Sequence, residues 1–381
     1  MSAAAPGGAP PGDAAAGAPS PEDDGWMRAA LALGRQGAGR CAPNPAVGCL
    51  LVRDGRLLAR ARTADGGRPH AEAAALAAAG DAARGATAYV TLEPCAHHGG
   101  RGPPCAEALI AAGVARVVAA LRDPDPRTAG RGIARLRAAG IDVATGVRAA
   151  EAARDHAPFL TRLALGRPRV TLKLALSLDG RIATAAGESR WITGPEARRH
   201  VHALRGRSDA VMVGAGTARA DDPDLSVRGM GAVRQPLRVV LSTALDLDPA
   251  SRLGATARAV PVLLLHGPGA PPARVAAWEA AGAACHALPG TPADPGAALG
   301  ALGARGVNAL LVEGGGGLAA SLLAAGLVDE LHVLSAGLVL GGDGTRAVGP
   351  LRLLALADAP RWALREARPV GADVLHVWTR P

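Results

Sequence analysis

The chain has 381 residues, 49% of them hydrophobic, a formal net charge of +9, and aromatic residues at only 2%. That length gives room for two domains of ordinary size, each able to bury a core. Charges or glycines interrupt every apolar run short of the roughly 18 residues of a membrane span, and one Tyr and one Phe leave almost no base-stacking surface for nucleic acid.

Residues 1–22 are almost entirely Ala, Gly, Pro and Ser. They lack the basic start and apolar core of a secretory signal, so they read as a disordered tail on a cytoplasmic protein. Apolar spacing predicts a helix over 26–36. Cys41-Ala-Pro-Asn-Pro45 is a turn, and strands follow at 46–52 and 56–61 around the Asp54-Gly55 hairpin signal. A helix over 70–79, a strand over 86–92, a Gly/Pro-rich loop and a helix over 105–112 come next. The first series closes with a strand at 115–121, a helix at 131–139 and a strand at 141–145. A helical stretch over 150–166 ends in Gly166-Arg-Pro168, where we place the boundary between a domain of residues 23–165 and one of residues 166–381. The second series has strands at 169–176, 210–213, 237–241, 260–265, 308–312, 330–334 and 373–378. Helices are predicted at 195–205, 272–281 and 318–325. Strands alternating with helices make both halves α/β.

Five cysteines, Cys41, Cys49, Cys95, Cys105 and Cys285, are too few and scattered for a disulfide framework. In a reducing compartment they are metal ligands, core residues or nucleophiles. His70-Ala-Glu72 opens a predicted helix, Glu93-Pro-Cys95 ends a strand, and Cys105 starts the next helix. Hydrolytic deamination needs this set. Zinc lowers the pKa of water to roughly 7, and three protein ligands leave a fourth position for that water. A carboxylate that is not a ligand then takes the proton and delivers it to the departing ammonia. We therefore expect Zn2+ on His70, Cys95 and Cys105, with Glu72 as the proton carrier, as in the H-x-E…P-C-x-x-C deaminases. A structural zinc would want a fourth ligand, for which His97 and His98 are at hand, but it would give Glu72 no purpose.

Pro43-Asn-Pro-Ala-Val-Gly-Cys49, Pro69-His-Ala-Glu-Ala73 and Thr91-Leu-Glu-Pro-Cys-Ala-His-His98, followed by Gly100-Arg-Gly-Pro-Pro-Cys105, resemble the deaminase domain of bifunctional riboflavin biosynthesis proteins. The resemblance implies a cytidine-deaminase-like three-layer domain. Nine residues separate Cys95 from Cys105 where that family usually has eight, and Gly102 stands where it usually has Thr. An extra loop residue closes at small entropic cost, so the ligand set is expected to survive, with Arg101 and His97 facing substrate. By the same resemblance Asn44 binds the pyrimidine, its amide donating and accepting at once; Asn between prolines is also a common turn residue. Only two asparagines, Asn44 and Asn308, occur in the chain. Asp123 and Asp125 match a segment near the ribose phosphate, or serve the turn.

Ser177-Leu-Asp-Gly-Arg181, Val213-Gly-Ala-Gly-Thr217, Ala220-Asp-Asp-Pro-Asp-Leu225 and Val312-Glu-Gly-Gly-Gly-Gly317 are similar to the reductase domain of the same family. That implies a dihydrofolate-reductase-like α/β domain using NADPH. The glycine run between a strand and a helix suits phosphate groups, although it is not the Rossmann fingerprint, and neither is Gly214-Ala-Gly216. The resemblance implies NADPH contacts at Ala175, Trp191, Thr217, Asp221 and Ser242, and along Gly315, Gly316, Gly317, Leu318, Ala319, Ala320 and Ser321. It implies substrate contacts at Ser189, Arg205, Leu225, Arg228 and Glu313. Arginine forks suit a phosphate, though 41 arginines make solvated ones common. Lys173 is the single lysine among 42 basic residues; it falls in a matching segment and is assigned to substrate. Asp221 either assists proton transfer or caps a turn.

The expected protein is thus a bifunctional riboflavin-pathway enzyme. Its first domain deaminates 2,5-diamino-6-ribosylamino-4(3H)-pyrimidinone 5′-phosphate with zinc, and its second reduces the ribosyl group to ribityl with NADPH. The partner is this small phosphorylated pyrimidine, with no nucleic acid or membrane, and a homo-oligomer is expected. The alternatives are a nucleic-acid or nucleoside base deaminase with an appended binding domain, which would want a basic, aromatic-bearing groove, and a zinc-stabilised binding protein with degenerate sites.

Overall fold

The structure, a computed structural model, describes residues 20–98, 102–231, 234–290 and 294–381. Two compact units form. The first takes residues up to Gln36 with 46–64 and 68–155; the second takes 37–45, 65–67 and everything from His156 onward.

The first unit holds strands β1 (Gly48–Arg53), β2 (Arg56–Arg62), β3 (Thr87–Val90), β4 (Arg116–Ala119) and β5 (Asp142–Thr145), with helices α1 (Pro21–Arg35), α2 (Ala71–Ala79), α3 (Cys105–Ala112) and α4 (Arg131–Ala138). The sheet order is β2-β1-β3-β4-β5. β1 is antiparallel to β2 and β3, while β3, β4 and β5 run parallel. Alternation sends Leu50 and Val52 to one face, where they join Tyr89, Val118 and Ala144 against Met27, Ala30 and Leu31 of α1. α2 packs on β1 and β2 and against α3, which packs on α4. These are the three layers the sequence predicted.

Helix α1 starts five residues before its apolar spacing does. Ser20 and Asp23 form a capping box: the Asp23 amide donates to Ser20 Oγ at 3.2 Å and the Ser20 amide to Asp23 Oδ2 at 2.8 Å. Pro21 fits the first turn, and Glu22, Asp23 and Asp24 favour its positive dipole end. Residues 20–22 of the expected tail therefore belong to a helix and its cap; residues 1–19 lie outside the described residues. Asp23 is buried, and its carboxylate also accepts from Arg116 Nη1 at 2.7 Å and Nη2 at 3.0 Å, and from the Tyr89 hydroxyl at 3.0 Å. Burial raises its pKa, but the bonds from Arg116, Ser20 and Tyr89 outweigh that and hold it at about 2.

The division between units falls inside α5 (Ala149–Leu165). Beyond it come β6 (Arg169–Ser177), β7 (Arg181–Ala183), α6 (Pro195–Gly206), β8 (Ala210–Gly214), α7 (Ala215–Asp221), β9 (Leu237–Ser242), α8 (Arg252–Ala255) and β10 (Val262–His266). Then follow α9 (Pro272–Ala281), β11 (Ala284–Ala287), α10 (Pro295–Ala304), β12 (Ala309–Val312), α11 (Gly316–Ala324), β13 (Glu330–Ala336), β14 (Thr345–Arg346), β15 (Ala363–Val370) and β16 (Asp373–Thr379). Nine strands make one sheet, β11-β10-β9-β8-β12-β6-β13-β16-β15. It is parallel as far as β13 and antiparallel through β16 and β15. One face packs Leu172, Met212 and Leu310 against Leu299 and Leu302 of α10 and Leu322 of α11. The other packs Val211, Val240 and Leu264 against Leu253 and Trp278.

The sequence missed α10 because Gly296, Gly300 and Gly303 dilute its helical signal; Asp294 nevertheless caps it, accepting from Gly296 N at 3.2 Å and Ala297 N at 2.8 Å. It missed β15 because this edge strand leaves Arg365, Glu366 and Arg368 largely outside the core, so no apolar alternation marks it.

Candidate functional site

His70 is the residue on which α2 begins, Cys105 is the first residue of α3, and Cys95 lies in the loop after β3. Their ligand atoms lie within 4.8 Å of one another. His70 Nδ1 is 3.3 Å from Cys105 Sγ and 3.7 Å from Cys95 Sγ. Tetrahedral zinc with ordinary Zn–N and Zn–S bonds would set an N···S edge of about 3.6 Å, so one imidazole and two sulfurs fit that ion. The Cys105 amide donates to Cys95 Sγ at 3.3 Å. The Cys105 thiol, with help from His70, brings the Cys95 thiol down to about 4 against the opposing effect of burial. Residues 99–101, and with them Arg101, lie outside the described residues. Gly102 adopts φ +82°, a conformation that residues with a Cβ rarely take. Both sulfurs are in place beside His70.

Glu72 sits in the first turn of α2, 3% exposed. Burial is the main force pushing its carboxyl up to about 7, with the nearby His70 opposing and Cys95 assisting.

Glu93, which the sequence treated only as part of a motif, is what fixes the Cys95 loop. Its buried carboxylate accepts from the amides of Asp123 at 3.2 Å and Gly130 at 3.0 Å through Oε2. Through Oε1 it accepts from Gly132 at 3.0 Å and Ile133 at 3.2 Å, at the start of α4. A Cβ on Gly132 would lie 2.0 Å from the Pro94 carbonyl oxygen, so glycine is what lets α4 approach that loop. Thr128 Oγ1 is 3.1 Å from His97 Nδ1. Asp125 is bonded to Arg127, and Asp123 accepts from the Asp125 amide at 2.9 Å; burial raises Asp123 to about 6. No sequence period reveals the Glu93 and His97 contacts, because they join residues 30 to 40 positions apart.

Asn44 lies in the second unit. Its Nδ2 donates to the Gly67 carbonyl at 2.7 Å, and its own carbonyl accepts from Asn308 Nδ2 at 3.3 Å. The chain's two asparagines thus meet.

In the second unit a cavity of about 430 Å³ opens toward the carboxyl ends of β6, β8 and β12, where open α/β sheets bind ligands. Lys173 and Ala175 of β6 line it with Ser189 and Trp191, and Thr217 and Asp221 of α7 line it with Leu225, Arg228, Glu313 and Gly315. Arg205 of α6 completes this set; its guanidinium donates from Nε and Nη2 to the two oxygens of Glu313, and from Nη1 to the Ser226 carbonyl at 2.8 Å. Arg205 therefore forks a protein carboxylate rather than standing open for a phosphate. Lys173 Nζ lies 3.9 Å from Glu313 Oε2. Burial lowers the Lys173 pKa, against the pull of Glu313, while Arg205 and Lys173 hold Glu313 down against burial. Arg190, Arg198, His202, Asp224 and Arg252 also line the cavity and were not singled out from sequence, since this composition makes each arginine unremarkable. Arg198 stacks over the Trp191 ring at 4.5 Å.

A second cavity of about 260 Å³ shares Thr217 and Gly315 with the first and adds Gly216, Thr243, Gly317, Leu318 and Ser321. A Cβ on Gly315 would meet Thr217 Oγ1 at 2.7 Å. Bare backbone at the start of a nine-residue helix fits a cofactor diphosphate. Ser242 is buried at the end of β9, beside Thr243. Ala319 belongs to the core, Ala320 is buried, and the Gly316 carbonyl accepts from the Gly349 amide at 2.9 Å. These residues present no side chain to either cavity. A further cavity of about 540 Å³ lies at the amino ends of β9, β10 and β11, away from every predicted residue.

Comparison with known proteins agrees with both halves. The family profile described as the RibD C-terminal domain matches residues 168–376. The profile of the cytidine and deoxycytidylate deaminase zinc-binding region matches residues 20–121. The riboflavin biosynthesis protein RibD of Escherichia coli K12 is 42% identical, over 93% of this chain and 99% of its own; that of Haemophilus influenzae is 41% identical, over 94% and 98%. Among solved structures, RibD of Acinetobacter baumannii superposes with a TM-score of 0.85 at 36% identity, covering 94% of this chain and 98% of its own. A diaminohydroxyphosphoribosylaminopyrimidine deaminase/5-amino-6-(5-phosphoribosylamino)uracil reductase of Thermotoga maritima gives 0.83 at 31% identity, covering 94% and 99%.

Proposed function

The chain belongs to the RibD family of bifunctional riboflavin biosynthesis proteins, and from that premise we propose which of its residues carry the two reactions. His70, Cys95 and Cys105 hold zinc in the domain of residues 23–165, and Glu72 carries the proton. Zinc makes water nucleophilic near neutral pH. Glu72, whose carboxyl burial pushes up to about 7, would move a proton from the attacking water to the departing amine. Cys95 is readied as a thiolate by the Cys105 side chain, with His70 and the Cys105 amide assisting. Asn44 contacts the pyrimidine.

In the domain of residues 166–381, NADPH would supply the hydride for the sugar, with the accompanying proton coming from solvent. Thr217, Ser321 and the backbone of Gly315, Gly316 and Gly317 would receive the cofactor, with Ala175, Trp191 and Asp221 at its nicotinamide side. Lys173 and Glu313 hold the opened sugar, with Arg205 keeping Glu313 charged and in place. Ser189, Leu225 and the exposed Arg228 bound the phosphorylated substrate. The observation that supports this assignment best is the Lys173–Glu313–Arg205 cluster facing the cavity that meets the glycine loop. The nucleic-acid reading is not favoured, because a reductase domain occupies the place of the appended binding domain.

The test is direct. Purified protein loaded with zinc receives the diamino substrate with and without NADPH, and ammonia and NADPH are followed. Ammonia with no NADPH, and NADPH consumption only after deamination, are expected; no ammonia would remove the deaminase assignment, and ammonia with no oxidation the reductase one. No described helix is long and apolar enough to cross a membrane, and a cytoplasmic homo-oligomer completes the proposal. A monomeric mass by light scattering at micromolar concentration would strike out the oligomer.

A further inference from the structure

Arg238 of β9 is completely buried, although it stands outside the cavity. A buried guanidinium is costly unless its donors are paired, and its planar fork can hold several acceptors in one fixed geometry. Its Nη1 donates to the Asp224 carbonyl at 3.1 Å, to Asp224 Oδ1 at 3.4 Å and to Thr256 Oγ1 at 2.7 Å. Its Nη2 donates to the carbonyls of Thr256 and Val260. One fork therefore ties the 222–228 loop to the segment between α8 and β10.

That loop needs a tie. Asp222 and Leu225 hold φ of +38° and +59°, in the left-handed region that side chains seldom adopt and that persists only when the surroundings over-determine it. Asp224 passes the constraint on: its Oδ2 accepts from Ser226 Oγ at 2.6 Å, and Arg228 Nη1 lies 3.9 Å away. The Ser226 carbonyl in turn accepts from Arg205, which grips Glu313. Asp224, Leu225, Arg205, Arg228 and Glu313 all line the cavity of about 430 Å³.

We propose that Arg238 is a positioning residue of the reductase: through Asp224 it fixes the strained 222–228 loop so that Leu225 and Arg228 meet the phosphorylated substrate and Arg205, held by the Ser226 carbonyl, stays on Glu313. This rests on the reductase assignment above. Arg238 touches neither substrate nor NADPH. Its role is therefore read in the binding of substrate and not in the binding of cofactor.

Arg238→Lys keeps the charge but cannot span Asp224 and Val260 together. Asp224→Asn keeps the shape of the loop side chain and loses its charge. With the aminouracil substrate, both are expected to raise KM roughly tenfold or more, the scale of a lost charged hydrogen bond, with a smaller fall in kcat and an unchanged Kd for NADPH by fluorescence quenching. Arg238→Met should exceed both, with Arg238→Lys partly rescuing it. Ammonia release by the same preparations reports that the first unit is intact, and the Kd for NADPH that the second is. Wild-type KM in both Arg238→Lys and Asp224→Asn would overturn the proposal. So would NADPH binding weakened in proportion to KM, which would mean that the whole unit had loosened. If the unaltered protein oxidises no NADPH with this substrate, the reductase assignment fails instead.

Discussion

Glu72 and Glu313 are both buried carboxylates, yet their surroundings push them in opposite directions. Glu72 is raised to about 7, burial being the largest cause. Glu313 is lowered, because Arg205 and Lys173 outweigh the burial that would raise it. A proton carrier must titrate near working pH, whereas an anchor for a lysine and an arginine must stay charged. Glu72→Gln should therefore abolish ammonia release, by at least about 10²-fold, while one zinc per chain remains by atomic absorption; activity close to wild type would mean that another group moves the proton. Glu313→Gln leaves Arg205 and Lys173 buried with no counter-charge, a change on the order of 3–5 kcal/mol. NADPH oxidation with the aminouracil substrate should fall below detection, and a rate within a few-fold of wild type would exclude Glu313 from the site.

Two elements depend on contacts that are short in space and distant in sequence. The first turn of α1 is anchored by Asp23, whose pKa of about 2 lies below the ordinary 3.8 because the bonds from Arg116, Ser20 and Tyr89 outweigh burial. A lowered folded-state pKa stabilises above the ordinary value and is lost as pH falls through the folded one. The contribution, roughly 2 kcal/mol, is thus complete above about pH 4 and vanishes toward pH 2. Urea unfolding should separate wild type from Asp23→Asn at pH 7, and the gap should close by about pH 2; a gap unchanged over that range would assign the effect to shape instead of charge. The start of α4 depends on Gly132, where a Cβ would lie 2.0 Å from Pro94 O. Gly132→Ala should push the Cys95 loop aside and weaken zinc binding roughly 10- to 100-fold in chelator competition, leaving NADPH affinity unchanged. Equal zinc affinity would show that the loop has room to give.

At the scale of the molecule, the two chemistries lie in separately packed units with separate cores. The candidate zinc ligands His70, Cys95 and Cys105 and the carboxylate Glu72 come from the first unit, and the Lys173, Arg205 and Glu313 cluster from the second. The activities should therefore be separable by single substitutions. Glu72→Gln should still oxidise NADPH when given the deaminated substrate, and Glu313→Gln should still release ammonia. Loss of both activities in either variant would contradict the division.

The residues of the zinc centre were legible because deamination demands rare residue types at element boundaries, and a His, a Glu and two Cys at such boundaries stand out in a chain of Ala, Gly and Arg. Most of the central strands and the longer helices were legible from their period. Helix α10, strand β15 and the true start of α1 were not, because glycine dilution, edge exposure and a cap hide the period. The sequence alone also could not say what Glu93 and Arg238 hold, or that Arg205 forks a protein carboxylate. Those facts depend on which distant backbone amides, carbonyls and charges the packed chain brings within about 3 Å, and only the tertiary structure decides that.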